Sequence, residues 1–230
     1  MSELLVLVHT VTPLVEVFNR LVREKLPGTQ VRHILDEPLL EAVRRRGGLN
    51  AGDAERLLEH VKAAEAIGAQ AVLVTCSTIS PLVDRVGEQV DLPVLKIDEP
   101  MLDRAVRSGR RIGVLATNPS TLEPTRGLLL ARAAAAGKTL EVETRLVEGA
   151  LEALMGGDGE KHDRLLSEVV EALAQEVDVI VLAQASMARV LEVLPEREGA
   201  TPVLTSPHLA LEALQPILKG QGAGRGGELT

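Results

Sequence analysis

Val72-Leu73-Val74-Thr75-Cys76-Ser77-Thr78 and Val181-Leu182-Ala183-Gln184-Ala185-Ser186-Met187 share one construction, an apolar run followed by small polar residues. Set side by side they lie 109 residues apart, as do Pro93-Val94-Leu95 and Pro202-Val203-Leu204. Leu5 to Thr10 matches Ile112 to Thr117 at an offset of 107, and Val31-Arg32-His33 matches Val142-Glu143-Thr144 at 111. Two halves of the same order imply a duplicated unit. The runs 4–8, 71–75, 111–116 and 179–183 read as strands buried on both faces, the habit of a parallel sheet. Shorter or more polar runs at 31–34, 94–97, 142–146 and 203–205 read as their neighbours. Helices are predicted over 51–67, with Leu57, Leu58, Val61 and Ala64 on one face and Asp53 as cap, and over 160–175, with Leu165, Leu166, Val169 and Leu173 on one face.

The expected fold is therefore α/β: two similar parallel-sheet lobes related by a pseudo-two-fold axis, with right-handed crossovers. The chain crosses near 98–101 and 206–208. That gives lobe 1 residues 1–98 plus 207–218, and lobe 2 residues 99–206. Residues 219–230 hold five glycines and read as a disordered tail.

Composition limits the function. The 230 residues carry 25 Lys and Arg against 33 Asp and Glu, a formal net charge of −8, which argues against nucleic acid or an anionic membrane as partner. Phe18 is the only aromatic of the Phe, Trp and Tyr class, so stacking platforms and aromatic cages are excluded. Cys76 is the single cysteine, so no internal disulfide forms. No apolar stretch approaches membrane-spanning length, and the first apolar run is too short for a signal peptide. The expectation is a cytoplasmic protein.

Ligands of open parallel sheets bind beyond the carboxyl ends of the strands. The segments there are His9-Thr10-Val11-Thr12-Pro13, Cys76-Ser77-Thr78-Ile79-Ser80, Thr117-Asn118-Pro119-Ser120-Thr121, Gln184-Ala185-Ser186-Met187 and Thr205-Ser206-Pro207-His208. They are rich in hydroxyls, lack Lys and Arg, and each precedes a predicted helix. Hydroxyls with backbone N–H groups suit a small anionic or polar ligand held by neutral donors; the same residues are also ordinary helix-start residues. Cys76, one residue past a buried strand and at an expected helix start, is a candidate nucleophile or base, and otherwise a buried structural cysteine. Asp36-Glu37-Pro38 and Asp98-Glu99-Pro100 read as capped helix starts. His208 aligns with Glu99 across the repeat, and either is a candidate acid or base. His33, His60 and His162 show no metal spacing, so no metal is assigned.

Thr75-Cys76-Ser77-Thr78, Ile112-Gly113-Val114-Leu115-Ala116-Thr117 with Ser120-Thr121 after it, and the duplication together resemble the aspartate/glutamate racemase superfamily, which includes hydantoin racemases, maleate isomerase and arylmalonate decarboxylase. The resemblance implies a cofactor-independent site between two lobes, and a homodimer. In the family's racemases two thiols face opposite sides of the substrate α-carbon. Cys76 matches the first, with Ser77 and Thr78 beside it; Thr117, Ser120 and Thr121 match hydroxyls that hold the substrate carboxylate. The second thiol's place is taken by Ala185, and the family's Asp-Ser after the first strand is His9-Thr10. The expectation is a racemase-like isomerase with one thiol, Cys76. His9, Thr10, Ser77, Thr78, Thr117, Asn118, Ser120, Thr121, Ser186 and His208 would bind a small carboxylate or related compound. A decarboxylase, or a binding protein that lost the second thiol, is the alternative.

Overall fold

A computed structural model describes residues 3–194 and 199–220, apart from the side chain of Ser120. The chain divides into two units, Met1–Ile97 with the chain from Ala210 onward, and Asp98–Leu209. Each is a four-stranded, wholly parallel sheet with helices on its faces.

In unit 1 the elements are β1 (Leu4–His9), α1 (Pro13–Lys25), β2 (Gln30–Leu35), α2 (Glu37–Arg46), α3 (Ala51–Ala66), β3 (Ala71–Val74), α4 (Val83–Gly87) and β4 (Val94–Lys96). In unit 2 they are α5 (Glu99–Ser108), β5 (Arg111–Ala116), α6 (Leu122–Ala135), β6 (Glu141–Leu146), α7 (Ala150–Met155), α8 (Gly159–Leu173), β7 (Val179–Leu182) and β8 (Val203–Thr205). Helix α9 (Ser206–Leu218) starts in unit 2 and ends in unit 1, where the Gln215 side-chain amide donates to the Lys25 carbonyl. The strand orders are β2-β1-β3-β4 and β6-β5-β7-β8.

Central strands are apolar throughout because both faces are covered. Val6, Val8, Val72 and Val74 pack on Leu39, Val43, Leu57, Val61 and Ala64 of α2 and α3. In unit 2 alternate residues serve opposite faces: Val114, Val179 and Val181 pack toward α5 and α6, while Leu115, Ile180 and Leu182 pack toward α7 and α8. The edge strands β2 and β6 carry Arg32, His33, Glu141, Glu143 and Arg145, polar residues suited to an uncovered sheet edge. Gly113 lets α8 approach β5: a Cβ there would lie 2.5 Å from Leu173 Cδ2 and 3.3 Å from Val177 Cγ2.

Helix starts follow side-chain chemistry, with two departures from the sequence reading. Asn50, not Asp53, caps α3: Asn50 Oδ1 accepts from Asp53 N at 3.1 Å, and Asp53 Oδ2 accepts from Asn50 N at 2.8 Å, a reciprocal box. Asp36 caps α2 through the Leu39 N–H, whereas Asp98 makes no capping bond from its side chain to α5. Asp36 also receives both nitrogens of a forked Arg56 contact at 2.6 Å and His60 Nε2 at 2.6 Å. Burial opposes charge on this carboxyl, but the His60 and Arg56 hydrogen bonds prevail and hold its pKa below the usual range.

The ladders fix how the halves correspond. His9 O accepts from Asp36 N as Ala116 O accepts from Val147 N, which confirms the offsets of 107 and 111. Val72 N donates to Pro93 O as Ile180 N donates to Pro202 O, so the proline pair keeps 109. Val8 O, however, accepts from Thr75 N as Leu115 O accepts from Ala183 N. The offset from β3 to β7 is therefore 108, not 109. The extra residue lies between β7 and β8, so the proline spacing does not carry back to the cysteine motif. Cys76 corresponds to Gln184, and Ala185 corresponds to Ser77.

No helix among the described residues is long and apolar enough to cross a membrane. Lys219 and Gly220 close α9 through bonds to Gln215 O and Ile217 O, and the rest of the expected tail, 221–230, lies outside the described residues.

Candidate active site

In unit 1 the strand ends bring His9 and Thr10 beside Thr75 and Cys76. Val8 and Val74 are the last ladder pair; His9 and Thr75, next along each strand, bond to each other, and Thr10 and Cys76 follow them in sequence. Cys76 is half-buried. It does not stand at an α-helix start. Its carbonyl accepts from Ile79 N and Ser80 N in a turn that leads to a 3₁₀ segment at Ser80–Leu82 and only then to the five-residue α4. Ser77 and Thr78 are exposed on that turn.

His9 is not a ligand-facing residue. Its side chain is 0% exposed, and both ring nitrogens are committed. The Thr75 hydroxyl donates to Val8 O at 3.1 Å, so His9 Nδ1 must donate to Thr75 Oγ1 at 2.7 Å. His9 Nε2 is then an acceptor, filled by His33 Nδ1 at 2.9 Å, and His33 Nε2 lies 3.1 Å from the Asn19 carboxamide. Burial first, then the charge His33 would carry, pushes the His9 pKa down to about 3. His9 is a neutral brace behind Cys76. The sequence placed it correctly at the strand end, but the face on which a terminal residue falls is set by the pleat. Thr10 is 2% exposed, and its Oγ1 has no hydrogen-bond partner among the described residues.

In unit 2 the corresponding ends are Ala116 and Thr117 beside Ala183 and Gln184. Gln184 Oε1 accepts three hydrogen bonds, from Thr117 N at 2.7 Å, Thr117 Oγ1 at 3.1 Å and Asn118 N at 3.1 Å. Two of the donors are backbone N–H groups, so the atom they meet is the oxygen and the amide orientation is not in question. Thr121 is half-buried, and its carbonyl accepts from Thr125 Oγ1 at 2.8 Å. Ala185 and Ser186 are half-buried at the start of a 3₁₀ segment, Ala185–Glu192, where the sequence predicted an α-helix. The Ser120 side chain lies outside the described residues. His208 Nδ1 is 2.9 Å from Thr205 Oγ1 in the first turn of α9. Sequence reasoning did not single out Thr75, Asn19, His33 or Gln184. The legible signal for Gln184 was a long polar side chain directly after a buried strand, at the cysteine's place once the register is right.

Among the described residues no three His, Cys, Asp or Glu side chains are grouped to hold a metal ion.

Solved structures share this architecture. Allantoin racemase from Klebsiella pneumoniae superposes with a TM-score of 0.71 at 20% identity, over 95% of this chain and 88% of that one. An aspartate racemase homologue from Pyrococcus horikoshii OT3 gives 0.67 at 14%, over 95% and 100%. A glutamate racemase from Bacillus anthracis gives 0.66 at 16%, over 96% and 83%. No curated protein matches the chain. The Asp/Glu/hydantoin racemase family model matches residues 4–214, nearly the whole described chain with both strand-end clusters inside it, and the chain belongs to that family.

Proposed function

We propose that this protein is a racemase-type isomerase that works without a cofactor and with one thiol, Cys76, on a small carboxylate or a related carbonyl compound. One observation carries the reading. Cys76 is half-buried at the carboxyl end of β3, whereas its equivalent, Gln184, is a carboxamide that cannot exchange a proton with carbon and is held by three hydrogen bonds. The thiolate of Cys76 removes a carbon-bound proton. The electron pair moves onto the adjacent carbonyl or carboxylate oxygen; water then delivers a proton to the opposite face of the carbon, and the thiol gives the proton it took to the hydroxide so formed. Such chemistry needs donors already in place for the developing oxyanion, and Thr10, Ser77 and Thr78 carry hydroxyls at these strand ends.

The loss of a second thiol also favours a ligand-binding protein without turnover. The test is proton NMR in deuterated water with amino acids, hydantoins, hydroxy acids, maleate and substituted malonates, run beside Cys76→Ala. Loss of a carbon-bound proton signal, abolished in the variant, supports one-thiol isomerisation; carbon dioxide release would make the protein a lyase. Saturable binding with no exchange or product would support the binding protein.

A further inference from the structure

Three donors converging on one sp² oxygen make an oxygen cradle, the arrangement that binds a carboxylate or oxyanion. In unit 2 that oxygen belongs to the protein: Gln184 Oε1 fills a cradle built from Thr117 N, Thr117 Oγ1 and Asn118 N. The register makes Thr10 and Val11 the counterparts of Thr117 and Asn118, and Cys76 the counterpart of Gln184. The cysteine side chain is two heavy atoms shorter than glutamine and ends in sulfur, so it brings no oxygen to this turn. The corresponding hydroxyl, Thr10 Oγ1, is buried and has no partner among the described residues. A buried hydroxyl in that state costs free energy that an acceptor oxygen would relieve.

We propose that Gln184 is a built-in ligand that permanently closes the oxygen cradle of unit 2, and that its unit-1 counterpart at Thr10–Val11 takes one carboxylate oxygen of an external ligand. This deepens the reading above, and it rests on that reading only for the carboxylate nature of the ligand. The chain would thus hold a ligand carboxylate at one of its two duplicated turns, and Gln184 would be the residue that decides which.

The probe is sodium formate, a carboxylate with nothing else to recognise, titrated at constant ionic strength against sodium chloride into the full chain labelled with nitrogen-15. The readout is the backbone amide signals of Thr10, Val11, Thr117 and Asn118. In the native protein the Thr10 and Val11 signals are expected to move saturably with formate and those of Thr117 and Asn118 to stay still. In Gln184→Ala, and in Gln184→Asn should the alanine variant not fold, Thr117 and Asn118 are expected to titrate as well. Gln184→Glu keeps an acceptor in the cradle and should leave them still. Three results would overturn the proposal: Thr117 and Asn118 responding in the native protein, their silence in a folded Gln184→Ala or Gln184→Asn protein, or silence of Thr10 and Val11 throughout. Formate binding does not require turnover, so a chain that binds at Thr10–Val11 but turns over nothing would refute the isomerase and leave the cradle standing.

Discussion

His9 makes folding stability depend on pH in a way that can be calculated. In the folded chain its pKa is pushed down to about 3, while in the unfolded chain it takes the ordinary value of 6.5. Above pH 6.5 both states are neutral at this residue, and it adds no pH dependence. As the pH falls below 6.5 the unfolded chain binds a proton that the folded chain refuses, so stability is lost at about 1.4 kcal/mol per pH unit. Between pH 6.5 and 4.5 the loss from this one ring is about 3 kcal/mol, a large part of the ~5–15 kcal/mol typical of a folded domain. His33 and His162 are lowered as well, both chiefly by burial, and Asp36 is lowered by its His60 and Arg56 bonds against its burial. All three act in the same direction.

His9→Asn isolates the term. Asparagine can still donate to Thr75 Oγ1 but does not titrate, and its shorter side chain loses the contact to His33. The variant should be less stable than the native chain at pH 7.5 by about 1–3 kcal/mol, the cost of broken buried hydrogen bonds. The difference should then narrow on acidification by about 1 kcal/mol or more per pH unit between pH 6 and 4.5. Urea unfolding at half-unit pH intervals, for both proteins in one buffer series, measures this. Parallel stability curves would refute the reasoning, since they would mean that His9 takes up its proton without unfolding and that the buried relay is not rigid.

Gly113→Ala should cost about 1–3 kcal/mol in urea unfolding, because the new methyl overlaps Leu173; combined with Leu173→Ala the loss should fall short of the two single losses together, since one methyl occupies part of the space the other change empties. Asp36→Ala removes a capping acceptor and its bonds to Arg56 and His60, and about 1–2 kcal/mol of stability should go with it, read as a fall in urea midpoint with unchanged slope. Native stability that depends on Asp36 should disappear as the pH falls from its unfolded pKa through its lower folded one, so the Asp36→Ala penalty should shrink with acidification. Asn50→Ala breaks the reciprocal box at α3 and should cost about 1 kcal/mol by the same measurement.

The strands were legible because buried parallel strands leave little choice of residue. Runs such as Ala71–Val74 and Val179–Leu182 are apolar at every position, and even the three-residue β4 and β8 are marked by a preceding proline and β-branched residues. The candidate site was legible as a set of strand ends, since ligands of open parallel sheets bind at such ends. It was not legible as a set of contacts. His9 and Thr10 are adjacent in sequence, yet one is locked into a relay and the other lacks a partner, a difference decided by the pleat and by Thr75 across the ladder. The role of Gln184 was hidden by a single inserted residue. Matching serines across the repeat gives 109, whereas the backbone bonds of β3 and β7 give 108, and that step exchanges an alanine for the glutamine as the counterpart of Cys76.

The two copies solve one mechanical problem in opposite ways. A loop at the end of a central strand must be tied to its neighbour if it is to position a ligand within fractions of an ångström. Unit 1 ties its loops from behind: His9 and Thr75 bond to each other, and the Thr75 hydroxyl reaches back to Val8 O. The corresponding residues in unit 2, Ala116 and Ala183, have no polar groups on their side chains, so nothing there can brace the loops from within the sheet. Unit 2 instead uses Gln184, one residue further along, reaching to Thr117 and Asn118. A brace from behind leaves Cys76 and Thr10 with their polar atoms uncommitted, whereas a brace from the front consumes the donors it steadies. The polar pair in one unit and the alanine pair in the other are thus consistent with Cys76 and Gln184, and both support the proposal that chemistry belongs to unit 1.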